Sequence, residues 1–114
     1  RRVLFRSMHP PPPTDRASGE AGMGRRRVRV FYSGRVQGVG FRYTVKSLST
    51  GYEVIGTVRN LADGRVELVA EGERGELEDF LAAVKDSGLR RFIVSVELNW
   101  EEPDGKFRGF EIVA

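Results

Sequence analysis

Apolar and polar residues begin to alternate at position 28. Val28, Val30 and Tyr32 are each separated by one residue, a period of two that is typical of a β-strand with one buried face. A glycine-rich segment at 34–40 follows. The next stretch places apolar residues on one helical face and ends at Gly51, a residue type that often follows a helix C-terminus. The pattern therefore predicts a strand, a turn and a short helix.

The rest of the chain shows the same strand-like and helix-like spacings of apolar residues. The clearest helix has apolar residues at i, i+3, i+4 and i+7, namely Leu77, Phe80, Leu81 and Val84, and Gly88 closes it. Val66, Leu68 and Ala70 predict one face of a strand. In total the pattern after Gly51 predicts four strands and one helix: strands at 53–60, 65–71, 91–100 and 107–113, and a helix at 76–87.

This order, β-α-β-β-α-β with an added C-terminal strand, predicts the fold class. It is typical of an α+β ferredoxin-like (split βαβ) sandwich, with two helices on one face of a mainly antiparallel sheet. In such a unit the first and second strands run parallel, and the third lies between them, so they are roughly 10 Å apart. We therefore expect loop 34–40, Arg42 and Asn60 to meet at one edge of the sheet.

The first 24 residues lack any such periodicity. They include the run Pro10–Pro13, which favours an extended conformation, and too few apolar residues to form a core. We predict a disordered tail at 1–24 and one domain at 25–114. We interpret Arg1–Ser7 as translated sequencing-adapter DNA, because a common library adapter reads through as these residues, so that the natural start would be Met8 or Met23.

Composition narrows the chemistry. The chain has no cysteine, and its one histidine, His9, falls in the predicted tail. Thiol catalysis, disulfides and a histidine-based metal site in the domain are therefore excluded, and we expect no metal and no cofactor. No apolar run approaches the ~20 residues needed to span a bilayer. We expect a cytoplasmic monomer without membrane association.

The positive charge lies mostly in the first 27 residues. Residues 1–27 carry seven arginines against two acidic residues, a balance of +5, whereas residues 28–114 carry twelve basic against fourteen acidic residues, a balance of −2. A nucleic-acid-binding domain would place its positive charge on the folded part. We therefore expect no nucleic-acid partner.

The glycine-rich loop suits an anion. Gly34, Gly38 and Gly40 allow the backbone to curl with its N–H groups inward, and the next helix presents its positive end. Arg42 adds a charged fork that can bind phosphate oxygens. An ordinary strand-to-helix turn with a solvated arginine explains these residues equally well. Asn60 is ambiguous too, since it could cap a hairpin turn or hold a water with its amide.

Two motifs carry a resemblance to a known family. Residues 34–42 read Gly-Arg-Val-Gln-Gly-Val-Gly-Phe-Arg, and residues 56–66 read Gly-Thr-Val-Arg-Asn-Leu-Ala-Asp-Gly-Arg-Val, with Gly72 six residues on. These segments resemble the first and second signatures of the acylphosphatases, in the same order and at a fitting spacing. Two residues depart from the family pattern: Tyr32 stands where an aliphatic residue is usual, and Thr57 where an aromatic is usual.

The resemblance implies an enzyme that hydrolyses acyl phosphates, a small-molecule substrate, to carboxylate and inorganic phosphate. It implies that Arg42 and Asn60 are catalytic, with Asn60 orienting the attacking water. It also implies that phosphate is bound by Arg42 and by the loop: Gly34, Arg35, Val36, Gln37, Gly38, Val39 and Gly40.

Two other functions fit the same fold. The first is a non-enzymatic domain whose loop binds a phosphate-containing ligand or a protein partner. The second is a single-stranded RNA binder, which needs exposed aromatic residues and a basic face. The negative balance of residues 28–114 argues against RNA.

Overall fold

Residues 21–114 are the part of the chain that the computed structural model describes, with side chains from Gly24 onward. The elements in chain order are β1 (Ala21–Gly34), α1 (Phe41–Ser49), β2 (Val54–Asn60), β3 (Val66–Glu73), α2 (Arg74–Lys85), a 3₁₀ helix (Gly88–Phe92), β4 (Ile93–Glu101) and β5 (Phe110–Ile112). β1 thus includes the last four residues of the predicted tail. The rest of that tail, with the adapter hypothesis, lies outside the described residues.

The five strands form one sheet in the order β4-β1-β3-β2-β5. β3 pairs antiparallel with both β1 and β2, so β1 and β2 run parallel on either side of it. β4 pairs antiparallel with β1, and β5 pairs parallel with β2. The predicted α+β split βαβ topology, with the third strand between the first two, is confirmed.

The core lies between one face of the sheet and the two helices. β1 contributes every second residue, as the alternation predicted, and β3 does the same. α2 packs Leu77, Phe80 and Val84 onto this face, as the i, i+3, i+7 spacing predicted. The fully buried apolar side chains of the three elements are Val28, Val30, Val66, Leu68, Ala70, Leu77, Phe80 and Val84.

The opposite face of the sheet carries ion pairs. Glu67 on β3 contacts Arg29 at 2.8 Å and Arg59 at 2.7 Å. Burial alone would raise the pKa of Glu67, but the hydrogen bonds from these two arginines hold it below its ordinary value. Fully buried Glu71 binds Arg27 at 2.8 Å and accepts hydrogen bonds from the amides of residues 104 and 105. Glu71 is therefore held by arginine and backbone donors, and it ties the loop between β4 and β5 to the sheet.

The predicted bounds of α2, β4 and β5 differ from those in the structure. α2 spans 74–85 rather than 76–87, because Arg74 pairs with Glu78 at 3.0 Å in its first turn and Ser87 ends it. The Ser87 hydroxyl donates to the Val84 carbonyl and accepts from the Leu89 amide, which starts the 3₁₀ helix and delays β4. β5 is shorter than predicted, because Gly109 turns the chain just before it with a φ of 79°.

Candidate active site

A cavity of about 150 Å³ lies where the glycine-rich loop meets the end of β2. The topology brings these segments together because β1 and β2 run parallel, so that the end of each lies at the same edge of the sheet. The cavity is lined by residues from the loop, α1, β2 and β5: Val36, Gly38, Gly40, Phe41, Arg42, Tyr43, Asn60 and Ile112. The structure thus places Arg42 and Asn60 in one cavity.

The loop presents unpaired backbone donors. Gly38 and Gly40 have φ values of 79° and 82°, which residues with a side chain rarely adopt, and a Cβ at either position would meet no atom within 4 Å. The glycines are therefore needed because of their positive φ angles, and not to avoid a steric clash of a side chain. Among the residues that the structure describes, the amides of residues 36–43 have no hydrogen-bond acceptor. Curled amides at a helix start form an anion-binding site.

Arg42 differs from the other partly buried arginines of the described chain. Each of those is paired with a carboxylate: Arg27, Arg29, Arg65 and Arg74. Arg42 is half-buried and has no such partner among the described residues. A guanidinium held beside unpaired amides, with no carboxylate to neutralise it, is suited to binding an anion from solution.

Asn60 has a buried polar atom without a partner. Its side-chain oxygen, Oδ1, is the one buried side-chain nitrogen or oxygen atom of the described residues that has no hydrogen-bond partner. The hairpin turn after Asn60 is held by other groups, since Asp63 accepts from the Arg65 amide at 3.1 Å. The turn-capping interpretation of Asn60 therefore has no contact to support it, and a buried unsatisfied acceptor facing a cavity is typical of a functional site.

Gln37 holds the loop against this hairpin. Its side-chain amide donates to the carbonyls of Leu61 at 2.8 Å and Arg65 at 2.9 Å, the two residues that flank the turn. The sequence motif suggested only that Gln37 belongs to the phosphate loop. The structure shows that its side chain fixes the distance between the loop and the β2–β3 hairpin, where Asn60 lies.

Four predicted phosphate-binding residues lie outside the cavity lining: Gln37, whose side chain turns to the hairpin, and Gly34, Arg35 and Val39. Gly34 belongs to β1 and pairs with Ile93 of β4. The Arg35 amide donates to the Phe92 carbonyl at 3.0 Å, so this N–H is already satisfied. Val39 packs its side chain against the core and can offer only its backbone. The run of unpaired backbone amides therefore begins at residue 36.

Replacing Gln37 with alanine should lower the free energy of unfolding by about 1–3 kcal/mol, because two hydrogen bonds of roughly 0.5–1.5 kcal/mol each are lost. It should also weaken the binding of inorganic phosphate, because the loop is no longer tied to the hairpin. Denaturant unfolding and calorimetric titration with inorganic phosphate measure the two effects. Asp63→Ala is the matched control, since it weakens the same hairpin without touching the loop. A Gln37→Ala variant with unchanged affinity for phosphate would contradict this role of Gln37.

Three cavity residues were not predicted as site residues from the sequence: Phe41, Tyr43 and Ile112. Tyr43 follows Arg42 in α1 and is 72% exposed at the rim. Ile112 comes from β5, which reaches the site because it pairs in parallel with β2 and sets Ile112 beside Val58. Nothing in the local pattern around Ile112 signals this long-range pairing.

The described residues contain no group of three or more histidine, cysteine, aspartate or glutamate side chains arranged to hold a metal ion. Within the same part of the chain, none of the helices has both the length and the apolar character needed to cross a membrane.

The fold and the cavity define a ferredoxin-like α+β domain in which a loop of unpaired backbone amides lies beside an unsatisfied side-chain amide oxygen. Comparison with known proteins identifies the family. The acylphosphatase family model matches residues 28–112. The chain is 42% identical over 91 residues to an acylphosphatase of a Roseiflexus species, covering 80% of this chain and 98% of that one.

A second relative and a solved structure agree. The chain is 41% identical over 112 residues to an acylphosphatase of Rubrobacter xylanophilus, covering 97% of this chain and 96% of that one. Its fold matches the crystal structure of acylphosphatase from Bacillus subtilis with a TM-score of 0.71 and 35% identity, covering 78% of this chain and 99% of that one. The chain belongs to the acylphosphatase family, which confirms the interpretation of its two motifs.

Proposed function

We propose that this domain hydrolyses the carboxyl–phosphate bond of acyl phosphates, with Arg42 and the loop binding the phosphate and Asn60 orienting the water. The observation that carries the proposal is the juxtaposition, in one cavity, of an arginine without a carboxylate partner and a buried Asn60 oxygen without a hydrogen-bond donor. Family membership and the acylphosphatase relatives support the reaction class.

The phosphate group sits within reach of the amides of residues 36–43 and of Arg42. The cavity volume of about 150 Å³ suits a phosphoryl group, and the start of α1 adds its positive end. Arg42 donates two hydrogen bonds to phosphate oxygens through its planar fork. These donors stabilise the charge on the transferred phosphoryl group in the transition state.

Water attacks phosphorus from the side of Asn60. Asn60 Oδ1 accepts a hydrogen bond from this water, which fixes the direction of its lone pair. The new bond joins the water oxygen to phosphorus, and the bond from phosphorus to the carboxyl oxygen breaks with its electron pair, which leaves on the carboxylate. The proton of the water goes to phosphate or to solvent.

The reaction makes modest demands on the protein. The carboxylate is a good leaving group, so it needs no proton from a general acid at neutral pH. Positioning and charge stabilisation then supply most of the rate enhancement. This fits a domain whose described residues 21–114 contain neither cysteine nor histidine.

The acyl group of the bound substrate extends out of the cavity across an apolar rim. Val36 and Phe41 are buried below the phosphate position, whereas exposed Tyr43 and half-buried Ile112 stand at the mouth. The acyl chain would contact these two side chains on its way to solvent.

The purified full chain should hydrolyse acetyl phosphate in the presence of a chelator and a thiol-blocking reagent, and inorganic phosphate should inhibit competitively. The reason is that the proposed donors are one guanidinium and backbone amides, which need neither metal nor thiol. Release of phosphate over time measures this. If the chelator abolishes activity and a divalent metal restores it, the mechanism is wrong.

The same assay separates the enzyme from a non-enzymatic domain that binds a phosphate ligand or a protein. Such a domain would bind inorganic phosphate, measured by calorimetry, without releasing it from acetyl phosphate. The further predictions of a cytoplasmic, monomeric protein with its domain at 25–114 remain part of the proposal.

A further inference from the structure

A second concave site lies between α2 and the edge strand β4, separate from the residues of the active-site cavity. Its volume is about 450 Å³, within the range of roughly 300–1,000 Å³ that small-molecule sites occupy. The residues that line it come from β1, α2, the 3₁₀ helix and β4: Val30, Tyr32, Leu81, Ala82, Lys85, Arg90, Ile93, Val96 and Leu98. We call it the α2–β4 groove.

The groove is apolar, and one wall is exposed. Its floor is fully buried Val30 and nearly buried Tyr32, while Val96 and Leu98 on β4 are 52% and 42% exposed. β4 is the outermost strand, so no neighbouring strand covers these side chains. The lined stretch from Ile93 to Leu98 measures about 16 Å at roughly 3.3 Å per residue.

The polar groups of the groove are unpaired. Lys85 and Arg90 make no ion pair with any described residue, and both charges of the groove are positive. The hydroxyl of Tyr32, a residue only 3% exposed, makes no hydrogen bond within the described part of the chain. Tyr32 is also the residue that departs from the aliphatic pattern of the family motif. Asn60 Oδ1 is the one buried side-chain atom of the described residues without a partner, so the Tyr32 hydroxyl is open to solvent and can donate a hydrogen bond to a ligand.

We propose that the α2–β4 groove binds an amphipathic anion, an unbranched medium-chain carboxylate. The alkyl chain lies along Leu81, Val96 and Leu98, and the carboxylate lies near Lys85 and Arg90. The Tyr32 hydroxyl donates a hydrogen bond to the ligand. This assignment does not depend on the reaction at Arg42 and Asn60.

Charge argues against a second copy of the chain as the occupant. Two copies that met groove to groove would bring two like-charged pairs of Lys85 and Arg90 to one interface, which costs free energy. A carboxylate neutralises the same pair. A small anion also reaches the Tyr32 hydroxyl on the floor, below the exposed wall.

Calorimetric titration of the full chain with hexanoate, octanoate and decanoate, below their micelle concentrations, tests the proposal. The affinity should rise about fourfold with each CH₂ group, because each buried CH₂ contributes about 0.8 kcal/mol. Decyltrimethylammonium, which has the same tail and the opposite charge, should not bind. Absence of saturable decanoate binding, or equal binding of the cation, would overturn the proposal.

Matched variants locate the site. Leu98→Glu should weaken decanoate binding at least about tenfold, because it sets a carboxylate against the alkyl chain. Val94→Glu is the control, since Val94 is 82% exposed on the same strand but outside the lining, and it should change binding by less than about twofold. Lys85→Ala should weaken decanoate about three- to tenfold. All three positions are exposed, and circular dichroism checks that each variant folds.

Two controls distinguish decanoate binding in the groove from binding at the active site and from self-association of the chain. Inhibition by inorganic phosphate should be unchanged in Leu98→Glu, which keeps the groove distinct from the active site. Sedimentation over a concentration range tests for self-association. A dimer that Leu98→Glu dissolves, together with no decanoate binding by the unchanged chain, would show that a second copy covers the groove and would refute the proposal.

Discussion

Arg42→Ala should lower kcat/KM for acetyl phosphate by about 10²–10⁴. The guanidinium supplies two charge-assisted hydrogen bonds of roughly 1.5–3 kcal/mol each, and alanine removes both. The free energy of unfolding should change by less than about 0.5 kcal/mol, because Arg42 makes no ion pair with a described residue that the mutation would break. Steady-state kinetics and denaturant unfolding measure the two quantities.

Two further variants sharpen this test. Arg42→Lys should restore little activity, because one ammonium cannot reproduce a planar fork. Arg35→Ala removes an exposed guanidinium from the same loop and leaves the backbone amides in place, so kcat/KM should fall by less than about threefold. An Arg42→Ala enzyme that keeps half of its catalytic efficiency would rule out the proposed phosphate-binding role.

Asn60→Ala should reduce kcat by about 10²–10³ and leave the phosphate inhibition constant within about threefold. Loss of one positioning group costs on the order of 3–4 kcal/mol in the transition state, whereas in the proposed mechanism phosphate itself is held by Arg42 and the loop. The free energy of unfolding should not fall. Oδ1 is buried without a donor, so its removal also removes a desolvation cost.

The turn interpretation of Asn60 predicts the opposite pattern, a loss of stability near 1 kcal/mol with kcat almost unchanged. Asp63→Ala should lose stability with kcat almost unchanged, because Asp63 holds the turn by accepting a hydrogen bond from the Arg65 amide. If Asn60→Ala behaves like Asp63→Ala in both measurements, Asn60 is a hairpin residue and the mechanism lacks its water-positioning group.

Local pattern predicted most of the secondary structure. The period of two at Val28, Val30 and Tyr32 and the helical spacing of Leu77, Phe80 and Val84 reflect which side chains face the core, and the structure buries all six. The prediction failed at element ends, where single contacts decide. The hydrogen bonds of Ser87 end α2 early, and the turn at Gly109 shortens β5.

The sequence also predicted part of the candidate active site. The order of strands along the chain was enough to predict that loop 34–40, Arg42 and Asn60 would meet, because parallel strands end at the same edge. The positive φ values of Gly38 and Gly40 agree with the curled path that their residue type suggested. The family resemblance then rested on residues that lie within two short segments.

The sequence by itself determined the strand and helix periods, the topology and the family, because these depend on residue type at short spacing. The tertiary structure alone decided which polar groups are left without partners. Arg59 is neutralised by Glu67, Arg42 has no carboxylate partner among the described residues, and the Gln37 side chain turns to the hairpin. Each outcome depends on contacts between residues distant in the chain, which no local pattern records.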